Sequence, residues 1–307
     1  MLTRETSFSS APGNGPLTFA AGCFDGVHLG HRAVIDAARR RAGETGGRAR
    51  VLTFTPHPAR VLNPNAAPPL LDAPSTRMRL FRETGVDGVD ELKFDPAFAR
   101  LGPGEFLDRL CARWPALESL AVGSDWTFGR RADGDVGRLR EEASSRGIRV
   151  IAVEPVLHEG TRISSTRIRR EVREGRMEEA AAMLGRPFAI AGRVVRGDGR
   201  GRSLGYPTAN VEPRNGVRPP PGIYAGRACL GHTLRPAAVY LGSRRTFHRN
   251  GGRVMEVHLL EDRPDLYDTE LETELIRRIR DDARFESPQA LQRRIARDLD
   301  EIRAVLG

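Results

Sequence analysis

The chain has 307 residues, more than one domain usually holds, so two domains are expected. Its 29% charged residues, and the lack of any run near the roughly eighteen apolar residues of a bilayer span, point away from a membrane protein. The net charge of +9 is shared, 28 Lys+Arg against 24 Asp+Glu over 1–187 and 21 against 16 over 188–307, so no basic arm marks a nucleic-acid binder.

The N-terminal stretch MLTRETSFSSAPGNGP lacks the apolar core of an export signal. Three scattered cysteines (Cys23, Cys111, Cys229) do not make a disulfide scaffold, and a cytoplasmic location is the expectation. Beyond a loose leader, 17–21 reads as a short buried strand, a glycine-bearing loop follows, and 29–42 reads as a helix. Strands at 49–54, 88–94, 119–122 and 148–153 alternate with helices at 75–84, 103–112 and 134–146, the signature of βαβ units around a parallel sheet. Helices at 165–174 and 177–184 close this half. From Phe188 the pattern changes to short strands at 189–196, 225–230, 237–241 and 254–260 between Gly/Pro-rich turns, which suits an antiparallel barrel or sandwich. A charged amphipathic helix over 288–306 ends the chain. The expected domains are 1–187 and 188–307.

Open α/β sheets bind ligands at the carboxyl ends of their strands, where the chemical motifs of the first half fall. GCFDGVHLGH (22–31) lies between the first strand and the first helix and contains His-x-Gly-His. A helix start offers free N–H groups and a positive dipole end to phosphate. His28 and His31, three apart, can face that point together, and Gly30 lets a nucleotide approach closely. Such donors stabilise charge building on an α-phosphate under attack. The bland alternative is two surface histidines at a helix start; a zinc reading lacks clustered partner ligands. The second motif, ISSTRIRR (163–170), opens a later helix, where Ser164, Ser165 and Thr166 are capping types and Arg167 brings a phosphate-matching fork.

In the second half, GDGRGRSLGYPTAN (197–210) follows a strand, and Gly199, Gly201 and Gly205 permit a tight loop whose N–H groups can face phosphate. Thr208 and Asn210, two apart on extended chain, present oxygens to one side, as a phosphate-carrying Mg²⁺ requires. Glu256 in MEVHLLE sits on an apolar strand, where a carboxylate could take a proton from an attacking hydroxyl. A plain hairpin turn and a solvent-facing carboxylate are the structural alternatives.

HxGH after the first strand with a later ISSTRIR resembles the nucleotidylyltransferase superfamily. With TFxPHP (53–58), VGxDxxFG (122–129), GRxLGYPTAN, GIYAG (222–226), ExHLL and DLY (265–267), the chain resembles the bacterial bifunctional riboflavin kinase/FAD synthetase family from about 17 to 303. That resemblance implies a Rossmann-like α/β nucleotidylyltransferase domain (FMN adenylyltransferase), then a small antiparallel β-barrel (riboflavin kinase) with a C-terminal helix. Riboflavin and ATP would give FMN, and FMN with a second ATP would give FAD and pyrophosphate, Mg²⁺ serving both. By the same likeness, Gly22, Phe24, Asp25 and Gly30 border the nucleotide, His28, His31, Ser164, Ser165 and Arg167 hold its phosphates, and Gly123, Asp125 and Phe128 lie by the flavin. Thr208 and Asn210 would bind Mg–ATP, and Glu256 would activate the riboflavin hydroxyl. The TFxPHP loop is either a ligand-facing wall or a stiff turn holding a buried His57. The chain departs from the family at Cys23, where asparagine is frequent, at Arg245 in place of a proline, and at Asp268 in place of a glycine. A narrower alternative leaves only the adenylyltransferase active, with the barrel merely binding flavin. Oligomeric state is left open.

Overall fold

The structure is a computed structural model that describes residues 2–8, 15–197, 201, 204–231, 233–243, 253–261 and 265–307. It resolves into two compact units, one of residues 1–68 and 74–164, the other of 69–73 and 165–307.

The first unit contains β1 (Leu2–Ser7), β2 (Leu17–Ala21), α1 (Leu29–Thr45), β3 (Arg48–Thr55), α2 (Pro58–Leu62), α3 (Pro74–Glu83) and β4 (Gly88–Lys93). It continues through α4 (Pro103–Arg113), β5 (Leu117–Gly123), α5 (Val136–Ser144), β6 (Arg149–Val153) and the two short strands β7 (Leu157–His158) and β8 (Thr161–Arg162). The six-stranded sheet has the order β1-β4-β3-β2-β5-β6. Alternation decides its two faces: Phe19, Leu52, Leu92 and Leu120 pack on α4 and α5, whereas Ala20, Val51, Val89 and Ala121 pack on α1 and α3. Each fully buried leucine is worth roughly 1.5–3 kcal/mol over an exposed one.

The leader contains a strand that the sequence did not reveal. Its first residues form β1, antiparallel to β4, so the sheet is mixed rather than wholly parallel. Polar contacts tie this edge: Arg50 on β3 donates to Asp90 at 2.6 Å and to the Ser7 hydroxyl at 3.3 Å. Burial pushes the Asp90 carboxyl up from the usual carboxylate value, with the Arg50 guanidinium opposing it.

The second unit opens with α6 (Ser165–Glu174) and α7 (Met177–Leu184), followed by β9 (Phe188–Val195), β10 (Ala209–Pro213), β11 (Gly222–Leu230), β12 (Thr233–Ser243), β13 (Arg253–Leu259), β14 (Glu270–Asp281) and α8 (Pro288–Leu306). The strands close a barrel in the order β10-β13-β12-β11-β14-β9, which decides between barrel and sandwich. Strand β14 was not expected from the sequence: ELETELIRRIRD is built from helix formers, yet Leu271, Thr273 and Leu275 alternate inward and are buried. Residues 69–73 belong to this unit because its groups grip their backbone. The Asn215 amide donates to the carbonyls of Leu71 (2.7 Å) and Ala189 (2.9 Å) and accepts from the Ala191 N–H (2.9 Å).

Candidate active sites

The loop from β2 into α1 is strained where chemistry was expected. Phe24 (φ 51°) and Val27 (φ 36°) are left-handed, with Gly26 at φ 93° between them. Phe24 is 1% exposed and its ring packs edge-on against Phe81 and His31, so its side chain is part of the core. Gly22 donates its N–H to the Leu52 carbonyl (3.0 Å), and Asp25 is buried. His28 caps α1: its Nδ1 accepts from the His31 N–H at 3.2 Å. In the neutral ring the proton therefore sits on Nε2, which makes that nitrogen the donor of the ring. The two imidazoles stack with centroids 3.5 Å apart and planes 18° apart. A Cβ at Gly30 would lie 3.2 Å from the His28 ring and 3.9 Å from the Ile163 carbonyl, so the residue before Ser164 closes on the same helix start. The structure brings the HxGH pair together.

Around them, Cys23 is a thiol: burial pushes it up to about 11, with Arg77 opposing and Asp25 assisting, and its carbonyl accepts from the Thr53 hydroxyl at 3.3 Å. It is no nucleophile at neutral pH. His57 caps α2 and is half-buried, not buried. Asp125 is half-exposed and ion-paired with Arg162; Gly123 sits beside it, a Cβ there falling 3.1 Å from Asp125 Oδ1. Phe128 is 7% exposed and stands in the core, stacked under the more exposed Trp126 at 4.9 Å. Ser164 is the last residue of the first unit, while Ser165, Thr166 and Arg167 form the first turn of α6 in the second.

In the barrel, β10 and β13 are antiparallel neighbours that set Asn210 opposite Glu256. The Thr208 hydroxyl donates to Glu256 Oε2 at 3.1 Å. With its proton committed there, Thr208 turns oxygen lone pairs outward, and the set of hydroxyl, amide and carboxylate is hard-oxygen chemistry of the kind magnesium takes. A Cβ at Gly197 would overlap the Asn210 amide at 2.1 Å, and one at Gly201 would come within 2.4 Å of the Tyr206 carbonyl. The Gly201 carbonyl accepts from the N–H groups of Leu204 (3.2 Å) and Tyr206 (2.8 Å), with Gly205 left-handed at φ 89°. This is the tight turn expected of the glycine loop; Gly199 and Arg245 lie outside the described residues.

Thr208 and Glu256 line a cavity of about 340 Å³. Ile223, Ala238, Leu204 and the α8 residues Leu291, Ile295 and Leu299 give it apolar walls. Its remaining lining was not foreseen from the sequence: Tyr206, Tyr240, His258, Arg280, Asp282 and Phe285. His258 Nδ1 donates to the Pro207 carbonyl at 2.8 Å, and the Tyr240 hydroxyl donates to Asp282 at 3.3 Å. Burial, then the Asp282 charge, pushes the Tyr240 phenol up to about 12.

Two family models divide the chain: FAD synthetase over residues 12–167 and riboflavin kinase over 184–306. The bifunctional riboflavin kinase/FMN adenylyltransferase of Escherichia coli K12 is 36% identical over 95% of this chain and 93% of its own. The chain belongs to the bifunctional riboflavin kinase/FMN adenylyltransferase family. The Bacillus subtilis member is 32% identical over 92% of this chain and 91% of its own. A crystal structure described as a macrolide-efflux protein from Streptococcus pneumoniae superposes with a TM-score of 0.86 at 29% identity, covering 96% of each chain. Among the described residues no helix is long and apolar enough to cross a membrane.

Membership in the riboflavin kinase/FMN adenylyltransferase family gives a physical reason for one departure. Asp268, where glycine commonly follows DLY in the family, has φ 62°, a left-handed backbone that glycine adopts without cost and aspartate tolerates. Its carboxylate pairs with Arg193 at 3.0 Å.

Proposed function

We infer that this protein phosphorylates riboflavin to FMN in the barrel and adenylylates FMN to FAD at the HxGH site, ATP serving both reactions. The functional boundary falls between 187 and 188. The observation that carries the kinase half is the Thr208–Glu256 hydrogen bond in the wall of a cavity that is otherwise largely apolar. A flat tricyclic ring takes the apolar walls, and the ribityl hydroxyl meets Glu256. Glu256 accepts the proton as that oxygen attacks the γ-phosphate. Thr208 and Asn210 would hold magnesium, which would carry the ATP phosphates and neutralise their charge. The glycine loop ending at Tyr206 lets backbone N–H groups approach those phosphates.

At the other site, the FMN phosphate attacks the α-phosphate of ATP and pyrophosphate leaves. The Nε2–H of His28, held by its Nδ1 cap, is a preset donor for the charge that develops, and His31 stacks on it. Ser164, in the same unit, takes further phosphate oxygens. The narrower reading, with a barrel that only binds flavin, is disfavoured by Thr208, Asn210 and Glu256 standing together.

Incubation with riboflavin, ATP and magnesium, followed by chromatography, tests this directly. FMN and then FAD should appear, with ADP and pyrophosphate as co-products. A protein that makes FAD from added FMN but none from riboflavin has no working kinase.

A further inference from the structure

The cavity of the barrel has one wall that is not barrel. Leu291, Ile295 and Leu299, at i, i+4 and i+8 of α8, form it, and the linker before α8 adds Asp282 and Phe285. Apolar contacts alone leave a helix free to slide and rotate on a sheet, since they have little direction. Here the directional ties are few. Asp298, on the turn of α8 that carries Ile295 and Leu299, is 4% exposed and meets Arg280 of β14 as two forks: Nε lies 3.0 and 2.9 Å from the two carboxylate oxygens and Nη2 lies 2.7 Å from Oδ2. Arg294 adds a further donor at 2.8 Å. The remaining Arg280 nitrogen, Nη1, donates to the Asp281 carbonyl at 2.8 Å, and the guanidinium carbon stands 5.7 Å from the Phe285 ring centroid. Arg280 thus touches the helix, the linker and the cavity at once.

We propose that Arg280 and Asp298 are positioning residues for riboflavin: their fork fixes the depth and rotation of α8 and with it the width of the flavin slot. This rests on the assignment of riboflavin to the cavity beside Glu256. A bidentate pair suits the task because it specifies orientation as well as distance. Burial makes it obligatory for Arg280, whose charge would lose its carboxylate without Asp298, whereas Asp298 also has Arg294. The groups that act on the phosphates and the attacking hydroxyl lie elsewhere, on β10, β13 and the glycine loop. Loosening the wall therefore affects flavin capture and leaves Thr208, Asn210 and Glu256 in place, since β10–β13 pairing and the Thr208–Glu256 bond hold them.

The test is steady-state kinase kinetics on the full chain with Asp298→Asn, which keeps shape and removes the charge. Riboflavin KM should rise about tenfold or more, the scale of a binding wall displaced by a fraction of an ångström, while kcat, the KM for ATP and FMN adenylylation hold. The double variant Arg280→Met/Asp298→Leu covers the case in which Asp298→Asn fails to fold, because apolar replacement of a buried pair preserves stability. It too should show the raised KM in a folded protein. A wild-type riboflavin KM in either folded variant overturns the proposal. Ile295→Trp, which fills the cavity, separates the two layers. If it raises riboflavin KM and Asp298→Asn does not, only the positioning role fails. If Ile295→Trp leaves KM unchanged, riboflavin does not use this cavity and both readings fall.

Discussion

His28 caps α1 through one ring nitrogen, and the other is the donor proposed to meet phosphate, so a single substitution removes both functions. His28→Ala should lower FMN adenylylation about 10²–10³-fold, the usual cost of one charge-stabilising donor, while riboflavin phosphorylation is unchanged. The lost cap should also cost about 1 kcal/mol of stability. His28→Asn separates the two effects, since asparagine caps well without an imidazole: its melting temperature should recover and its adenylylation rate should not. Glu256→Gln is the matching change in the barrel. The Thr208 hydroxyl can still donate to the amide oxygen, so the local geometry survives, but no carboxylate remains to take a proton. Phosphorylation of riboflavin should fall about 10²–10⁴-fold, with adenylylation of supplied FMN intact, as assayed by separate product chromatography. Both residues were legible in the sequence because their motifs carry type and spacing together. Tyr240, Asp282 and Arg280 were not: they meet at the cavity only through strand pairing and the β14–α8 linker, and no local pattern marks such a meeting.

At the scale of elements, legibility followed the hydrophobic period. Helices α1, α4, α6, α7 and α8 have buried faces that repeat at about 3.6 residues, strands β2 to β5 are short runs buried at nearly every residue, and each of these, with β6, was anticipated within a few residues. Among the strands of five or more residues β1, β10 and β14 were missed, the first and the last for opposite reasons. β1 has no hydrophobic face and is held by Arg50 and by the main chain of β4. β14 is written largely in helix formers and takes its alternation from barrel closure, and two register shifts against β11 blur that alternation further. A third failure of legibility concerns 69–73, which no local pattern links to the barrel. Its link runs through Asn215, 3% exposed, whose three hydrogen bonds bind this segment to β9. Asn215→Ala would strand a buried N–H and two buried carbonyls. It should therefore destabilise the second unit by at least about 3 kcal/mol, at about 1–3 kcal/mol for each of the three groups left without a partner. Chemical denaturation followed by loss of kinase activity measures this; a change below about 0.5 kcal/mol, the level of an ordinary surface substitution, would mean the segment is not held there.

At the scale of the molecule, one chain contains two reactions that share a metabolite, FMN being the product of the barrel and the substrate of the HxGH site. The +9 charge divides almost evenly between the halves, which suits two sites that each take a polyphosphate. Thr208, Asn210 and Glu256, proposed for the kinase, come from the second unit, and the histidine pair comes from the first, so each defect can be introduced without touching the other set. That permits a complementation test. His28→Ala alone should convert riboflavin to FMN and stop, and Glu256→Gln alone should leave riboflavin unchanged. Mixed in equal amounts with ATP and magnesium, the two should make FAD, because FMN released by one protein is captured by the other. Solution transfer also predicts the time course: FAD appears after a lag while free FMN accumulates, and the lag shortens as total protein rises. A mixture in which FMN stays bound to the His28→Ala protein and no FAD follows, although Glu256→Gln adenylylates added FMN at the wild-type rate, would show that the intermediate passes only within a single molecule.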